Sequence, residues 1–264
     1  MANQLSPALR AENTYSLPVT TDRFAHKTEQ SQRTQPLMRK FEIVSLLPNG
    51  AARTSHHLAP ATDLFEATSS ALARGTLVST PHGPVAIEDL LPGDLIDTVG
   101  GDAEPLIWIG STSFVPAQSL PTSSLIGLIR LVADGYSKSG ALGDLMLGPN
   151  ARLLQSRPSL EQIIGVSSVL TPARDLDDGY TAFVVTPPSP VRLFHLRLPR
   201  HAAIYANGRA VETYHPGKGV EEQLGTNMRS LFLSLFPDID HFAGKPNSLM
   251  VSSGCCALES LTRS

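Results

Sequence analysis

Residues Arg74–Thr98 read RGTLVSTPHGPVAIEDLLPGDLIDT. Thr76–Thr80 alternates like a half-buried strand, and Pro81-His82-Gly83-Pro84 supplies a turn. Val85–Ile87 then reads as a second strand, and Leu90-Leu91-Pro92-Gly93-Asp94 turns the chain into a third, Leu95–Thr98. Short apolar runs separated by Pro/Gly/Asp turns at this density predict an all-β sandwich or closed sheet, not helices. Gly83 and Gly93 fall where such turns need a permissive φ. Glu88 and Asp94 are the side chains placed to bond turn amides.

The same grammar continues outward. Val99-Gly100-Gly101-Asp102 turns the chain into Leu106–Ile109, which carries the only tryptophan, Trp108. Leu125–Val132, Leu145–Leu147, Thr181–Val185, Val191–Leu198 and Ala202–Ala206 read as further strands, with a helical turn at Leu160–Gly165. The Asn207-Gly208 pair is a two-residue hairpin signal leading into Arg209–Tyr214. Upstream, Phe41–Leu47 is a strand closed by Pro48-Asn49-Gly50, and Asp63–Ala73 a short helix capped by Thr62 or Asp63 with Glu66 in its first turn. Downstream, Leu224, Met228, Leu231, Phe232 and Leu235 share one helical face that packs on the sheets, and Pro237 ends the helix. The expected organisation is a polar disordered arm (1–40), a lead-in (41–70), a β domain (71–217), an amphipathic helix segment (218–243) and a polar tail (244–264).

Composition narrows the function classes. The 264 residues carry a net charge of −3, with no basic stripe of the kind a nucleic-acid binder uses to displace counterions. Cys255 and Cys256 are the only cysteines and are neighbours, so they cannot staple distant segments. No basic cap precedes an apolar run at the start, and no apolar stretch of about eighteen residues occurs. The expectation is a cytoplasmic protein without a membrane partner, signal-less export being left open.

Motifs for several site classes are absent: no G-x-S-x-G, no Walker A run, no G-x-G-x-x-G, no H-E-x-x-H and no C-x-x-C. His195 and His201 lack carboxylate or thiolate company in the sequence, so no metal is expected there, nor any cofactor. His56-His57 reads as a polar loop, and the two rings would point to opposite faces if the backbone were extended. Trp108 reads as packing, and Arg174 as a residue whose planar fork holds a buried carboxylate or carbonyl.

The Arg74–Thr98 block resembles the opening of the Hint (Hedgehog/intein) domain, in its bacterial stand-alone branch. The resemblance rests on Gly75-Thr76, the turn at Gly83, Ile87-Glu88-Asp89-Leu90 and Pro92-Gly93-Asp94. It continues through Trp108-Ile109-Gly110, Leu145–Leu153, Thr171-Pro172-Ala173-Arg174 and His195–Pro216. It implies a Hint fold of many short twisted strands and the chemistry of self-cleavage. In that chemistry a thiol attacks the carbonyl of its own preceding residue. A histidine in the second block then helps the amine leave.

The resemblance also marks departures. The nucleophile position holds Ala71, the histidine position Ala151, and the terminal His-Asn positions Glu212 and Thr213. A methyl group can neither attack a carbonyl nor donate a proton. Ser69, Ser70 and His201 are the remnants that stand near these positions. With the backbone extended, Ser70 faces away from Ala71, while Ser69 shares its face but lies about 6.6 Å along the strand. Two readings follow. One is a catalytically degenerate domain acting as a structural or peptide-binding module that keeps the cleft as a groove for an unidentified protein or peptide. The alternative is self-cleavage through an N-acyl shift to a non-standard nucleophile.

Overall fold

The computed structural model describes residues 37–116, 123, 125–133, 142–156, 168–217, 220 and 224–237. The expected arm (1–40) up to residue 36, the helical turn at Leu160–Gly165, the tail and the two cysteines lie outside the described residues; the end of that arm, Met38–Lys40, is strand instead, because it pairs with Leu58–Pro60. Strands dominate and every pairing between them is antiparallel.

The chain opens with β1 (Met38–Leu46) and β2 (Ala52–Pro60), a hairpin whose nine-residue register runs from Met38 opposite Pro60 to Leu46 opposite Ala52. Helix α1 (Asp63–Ala67) follows, then β3 (Leu72–Ala73), β4 (Leu77–Val78), β5 (Val85–Ala86), β6 (Leu95–Ile96), β7 (Glu104–Pro105) and β8 (Trp108–Phe114). The remainder comprises β9 (Leu128–Leu131), β10 (Leu145–Leu147), β11 (Arg152–Ser156), β12 (Ser168–Pro172), β13 (Ala182–Val185), β14 (Val191–Arg197), β15 (Ala203–Ala206), β16 (Arg209–Glu212) and helix α2 (Thr226–Leu233). One sheet has the order β13-β9-β10-β3-β14-β8-β1-β2, a second β12-β11-β16-β15-β4-β5, and β6 pairs with β7 alone.

Local chemistry accounts for several of these elements. Asn207 and Gly208 both adopt positive φ, 46° and 76°, as the primed turn of a tight hairpin requires. The Asn207 side chain is also used twice, accepting from Leu77 N at 2.7 Å and donating to Asp144 O at 2.8 Å. Glu88 accepts from the Gly75 amide at 2.8 Å, and Asp94 from the Leu91 amide at 2.8 Å. These are the turn-bonding roles expected of them.

The carboxyl-terminal helix docks through aromatic rings. Trp108 is fully buried and donates from Nε1 to Leu235 O at 2.7 Å. It stacks on Tyr214 and Phe236, with ring centroids 5.9 and 5.0 Å away. Phe232 meets Phe65 edge-on at 5.9 Å. Of the expected helical face, Phe232 and Leu235 are buried and Leu224 and Leu231 pack against the same cluster, but Met228 is exposed. The helix ends at Leu233, four residues before Pro237, which has no N–H to offer the Leu233 carbonyl; Phe236 N donates to that carbonyl instead, at 2.9 Å.

Other expectations are corrected. His56 and His57 lie on strand β2, not in a polar loop, because β2 pairs with β1 along its whole length. Helix α1 stops at Ala67, and Thr62 makes no side-chain cap bond. Glu66 instead turns inward, fully buried, to accept from Arg39 Nε at 2.9 Å and Ser123 Oγ at 2.7 Å. Arg174 holds no buried group. It is 59% exposed and lies 3.8 Å from the equally exposed Asp175.

Candidate functional site

The turn of α1 delivers the chain into the middle of the larger sheet. Ser69 is not extended: its amide donates to Glu66 O at 3.1 Å, continuing the helical turn, so strand alternation does not govern where it points. Its hydroxyl lies 3.0 Å from Thr68 Oγ1 and faces Gly110, where a Cβ would meet Ser69 Oγ at 2.5 Å. Regular pairing starts only at Leu72, and Ala71 N donates to Phe194 O at 3.0 Å.

Gly148 is the keystone of this region. Its amide donates to Ala71 O at 2.9 Å, and its Cα sits so close to the preceding peptide that an added Cβ would stand 1.7 Å from Ser70 O. Only glycine allows this approach. Two backbone bonds extend the contact to the second sheet: Ala151 N donates to Gly148 O at 3.1 Å, and Ala173 N donates to Ala151 O at 2.7 Å. The fold therefore joins Ala71 and Ala151, eighty positions apart in sequence, through one glycine.

Neither alanine lines an opening. Ala71 is 1% and Ala151 0% exposed, and both belong to one apolar cluster with Leu72, Leu147, Phe194 and Val211. Both methyl groups are enclosed by packed apolar side chains, so neither is open to a bound peptide. Ser70 is likewise fully buried, and its Oγ is a polar atom without a hydrogen-bond partner.

The histidine that reaches this segment is His195, on β14. Its Nδ1 lies 2.9 Å from Ala67 O and its Nε2 3.4 Å from Glu212 O. A neutral ring has one N–H, and the shorter contact assigns it to Nδ1. Burial lowers the His195 pKa, the bonds to Ala67 and the Glu212 charge opposing that effect without overcoming it. The ring is consequently a neutral donor to a carbonyl oxygen. The contact of His195 with Ala67 spans 128 positions and leaves no local signal in the sequence.

His201, the other remnant, is held elsewhere. Its Nε2 lies 2.6 Å from Glu212 Oε1, while Arg152 pairs with Glu212 Oε2. His215 packs beside His201 with ring centroids 4.8 Å apart. Burial first, and then the neighbouring His201, push the His215 pKa down to about 4. Glu212, at a position expected to complete cleavage, thus serves as the shared anion of a buried ionic cluster. No group of three or more His, Cys, Asp or Glu side chains able to hold a metal occurs among the described residues. No helix among them is long and apolar enough to cross a membrane.

Comparison with known families places a match to the Hint domain over residues 70–218, more than half of the chain. The chain belongs to the Hint domain family. Solved structures similar to it include the MchDnaB-1 intein, at 14% identity over 55% of this chain and 100% of that one, with a TM-score of 0.34. A splice-inactive variant of the AceL NrdHF class 3 split intein gives 13% identity, 55% and 99% coverage and a TM-score of 0.38. The Msm DnaB1 intein splicing domain bound with zinc gives 17%, 55% and 100%, and 0.33. At such TM-scores these likenesses carry no weight of their own. Among curated proteins there is no significant sequence match. The Hint match starts at Ser70, so β1, β2 and α1 precede it, yet β1 pairs with β8 from Glu42–Ser111 to Ser45–Trp108 and extends the Hint sheet.

Proposed function

We propose that this Hint domain does not cleave itself and works as a structural or peptide-binding interaction module. The observation that carries this reading is the methyl pair. Ala71 and Ala151 occupy the positions assigned by resemblance to the thiol and the imidazole, and both are sealed in one apolar cluster. A nucleophile must stand about 3–3.5 Å from the carbonyl it attacks, with a base or acid in hydrogen-bond reach. The Ser70 carbonyl has Gly148 against it instead. The His195 Nδ1 proton is committed to Ala67 O, and His201 is committed to Glu212.

With the family address closed, a peptide would need another seat. An apolar groove of about 730 Å³ opens next to it, lined by Leu64, Ile126, Ile129, Pro149 and Val184, with Asp63 and Arg174 as its charged groups. That volume lies within the range of small-ligand and peptide sites. Val184 is 54% exposed and belongs to β13, the end strand of its sheet among the described residues. An extended apolar peptide fits this combination by adding to the strand edge and placing a side chain in the groove. A terminal carboxylate on such a peptide would complement Arg174.

The intact mass of the purified protein tests the first part. One full-length species is expected with and without dithiothreitol or hydroxylamine. Fragments beginning at Ser69, Ser70 or Ala71 would overturn the reading in favour of self-cleavage. The second reading has one observation in its favour: the Ser70 hydroxyl is tied up by no hydrogen bond. A Ser70→Ala variant separates the two, since any cleavage that depends on Ser70 disappears with it. Binding to an array of extended apolar peptides, lost on Val184→Arg, tests the groove.

A further inference from the structure

A second constellation lies outside residues 70–218 and is independent of the Hint reading. Ser55 and His57 are two residues apart on β2 and therefore share a face of the strand. Ser55 Oγ lies 2.9 Å from His57 Nε2. On the other side of the ring, His57 Nδ1 lies 3.3 Å from Ser234 Oγ, at the end of α2.

The proton positions follow from the third contact. Ser234 Oγ donates its only proton to Leu231 O at 2.6 Å, a short bond within the last helical turn. Toward His57 it is left as an acceptor, so His57 Nδ1 carries the ring's N–H. The Nε2 lone pair then faces Ser55, which donates to it. A serine, a base with its lone pair on the serine, and a hydroxyl fixing the tautomer are the parts of an activated nucleophile.

The surroundings favour the neutral ring. Burial, then the positive charge of Arg53 and then His56, lower the His57 pKa. Arg53 is exposed and lies two residues before Ser55 on the same strand face, so the cation stands beside the pair. Ser55 and His57 are half-buried on an end strand of the sheet, which leaves the hydroxyl approachable from one side.

We infer that Ser55 is a nucleophile that accepts an acyl group from an activated ester, with His57 as its general base and Ser234 as a positioning residue. In the step, Ser55 Oγ bonds to the ester carbonyl carbon while its proton passes to His57 Nε2. The tetrahedral intermediate then collapses, and the bond from carbon to the leaving oxygen breaks. That oxygen takes the proton back from Nε2, giving acyl-Ser55 and a free alcohol. Arg53 supplies positive charge while the carbonyl oxygen is negative. Small acyl esters of good leaving groups are the substrates that a half-buried hydroxyl on an end strand can reach.

The test uses the full chain with p-nitrophenyl acetate, following p-nitrophenolate release and mapping the acetyl group by peptide mass spectrometry. Ser189 is the internal reference, an exposed serine with no hydrogen bond to histidine among the described residues. General-base assistance is worth about 10²-fold at its lower end, so Ser55 is expected to acetylate about 10²-fold faster than Ser189. His57→Gln brings Ser55 down to the Ser189 level. Ser234→Ala slows it and displaces its pH–rate profile, which a merely structural role of the helix end would not produce. Acetylation of Ser55 at the Ser189 rate, an acetyl group confined to lysines or His57, or indifference to His57→Gln would overturn the inference. The comparison of two serines in one protein needs no variant, so a misfolded mutant does not blunt it.

Discussion

Replacing Gly148 by alanine probes the packing around the Ser70–Ala71 peptide directly. The new Cβ would stand 1.7 Å from Ser70 O and 2.8 Å from Ser70 C, both backbone atoms. Ordinary carbon–oxygen contacts are about 3.3–3.6 Å, so one segment must move by roughly 1.5 Å. The bonds at stake are Gly148 N to Ala71 O at 2.9 Å and Ala71 N to Phe194 O at 3.0 Å. Overpacking a tight interior costs about 1–3 kcal/mol, and each buried backbone group left unpaired about 1–3 kcal/mol more. Stiffening the unfolded chain returns about 0.4–1 kcal/mol. With one group left unpaired these give a net loss of about 1–6 kcal/mol, centred near 3, and the central value lowers Tm by roughly 6–12 °C for a body of this size. Gly225→Ala is the control, since nothing lies within 4 Å of its added Cβ and its φ is −62°. It should shift Tm by less than about 2–3 °C, a modest cap effect. Thermal unfolding followed by circular dichroism reads both. Should Gly148→Ala melt within about 2 °C of the parent, the Ser70 carbonyl is not pinned, and the case for a closed address fails with it.

Three further outcomes are expected. Phe236→Ala removes a ring stacked on Trp108 and Tyr214 and should cost about 3–5 kcal/mol in chemical denaturation; a loss below about 1 kcal/mol would show that the helix segment is not docked as described. Glu212→Ala leaves Arg152 and His201 without their shared anion and should cost about 3–5 kcal/mol, an outcome contradicted if the variant is as stable as the parent. His215 has a pKa near 4 in the fold against an ordinary value of 6.5, so between these pH values the unfolded chain binds more protons. Its contribution is therefore constant above about pH 6.5, falls as pH drops toward 4 and levels below. Allowing for the ring's partial exposure, His215→Asn should remove about 1 kcal/mol of that acid sensitivity, and identical stability–pH curves for variant and parent would refute it.

Much of the fold was legible where the chemistry is local. Asn207-Gly208 must turn because both residues take positive φ, and Glu88 and Asp94 bond amides a short distance away in space. The β2 strand was not legible, since Arg53, Thr54, Ser55, His56 and His57 present no apolar alternation. Its conformation comes from the nine-residue register with β1. Strands β11 and β12 went unread as strands for a related reason, each gaining its identity from pairing, Arg152–Pro172 through Ser156–Ser168. At the site, the residue types at positions 71 and 151 could be read from the sequence. Their joining through Gly148 could not, nor could the reach of His195 to Ala67, because a close backbone approach leaves no mark on composition or period.

Trp108 is the chain's sole indole, and its ring packs against both Tyr214 and Phe236 with its N–H on the Leu235 carbonyl. Its emission is therefore a private optical channel for the carboxyl-terminal segment. Release of that segment would wet the ring and red-shift the fluorescence, even while the strands beneath stay paired. Attachment and global melting can accordingly be followed as separate events in one unlabelled sample.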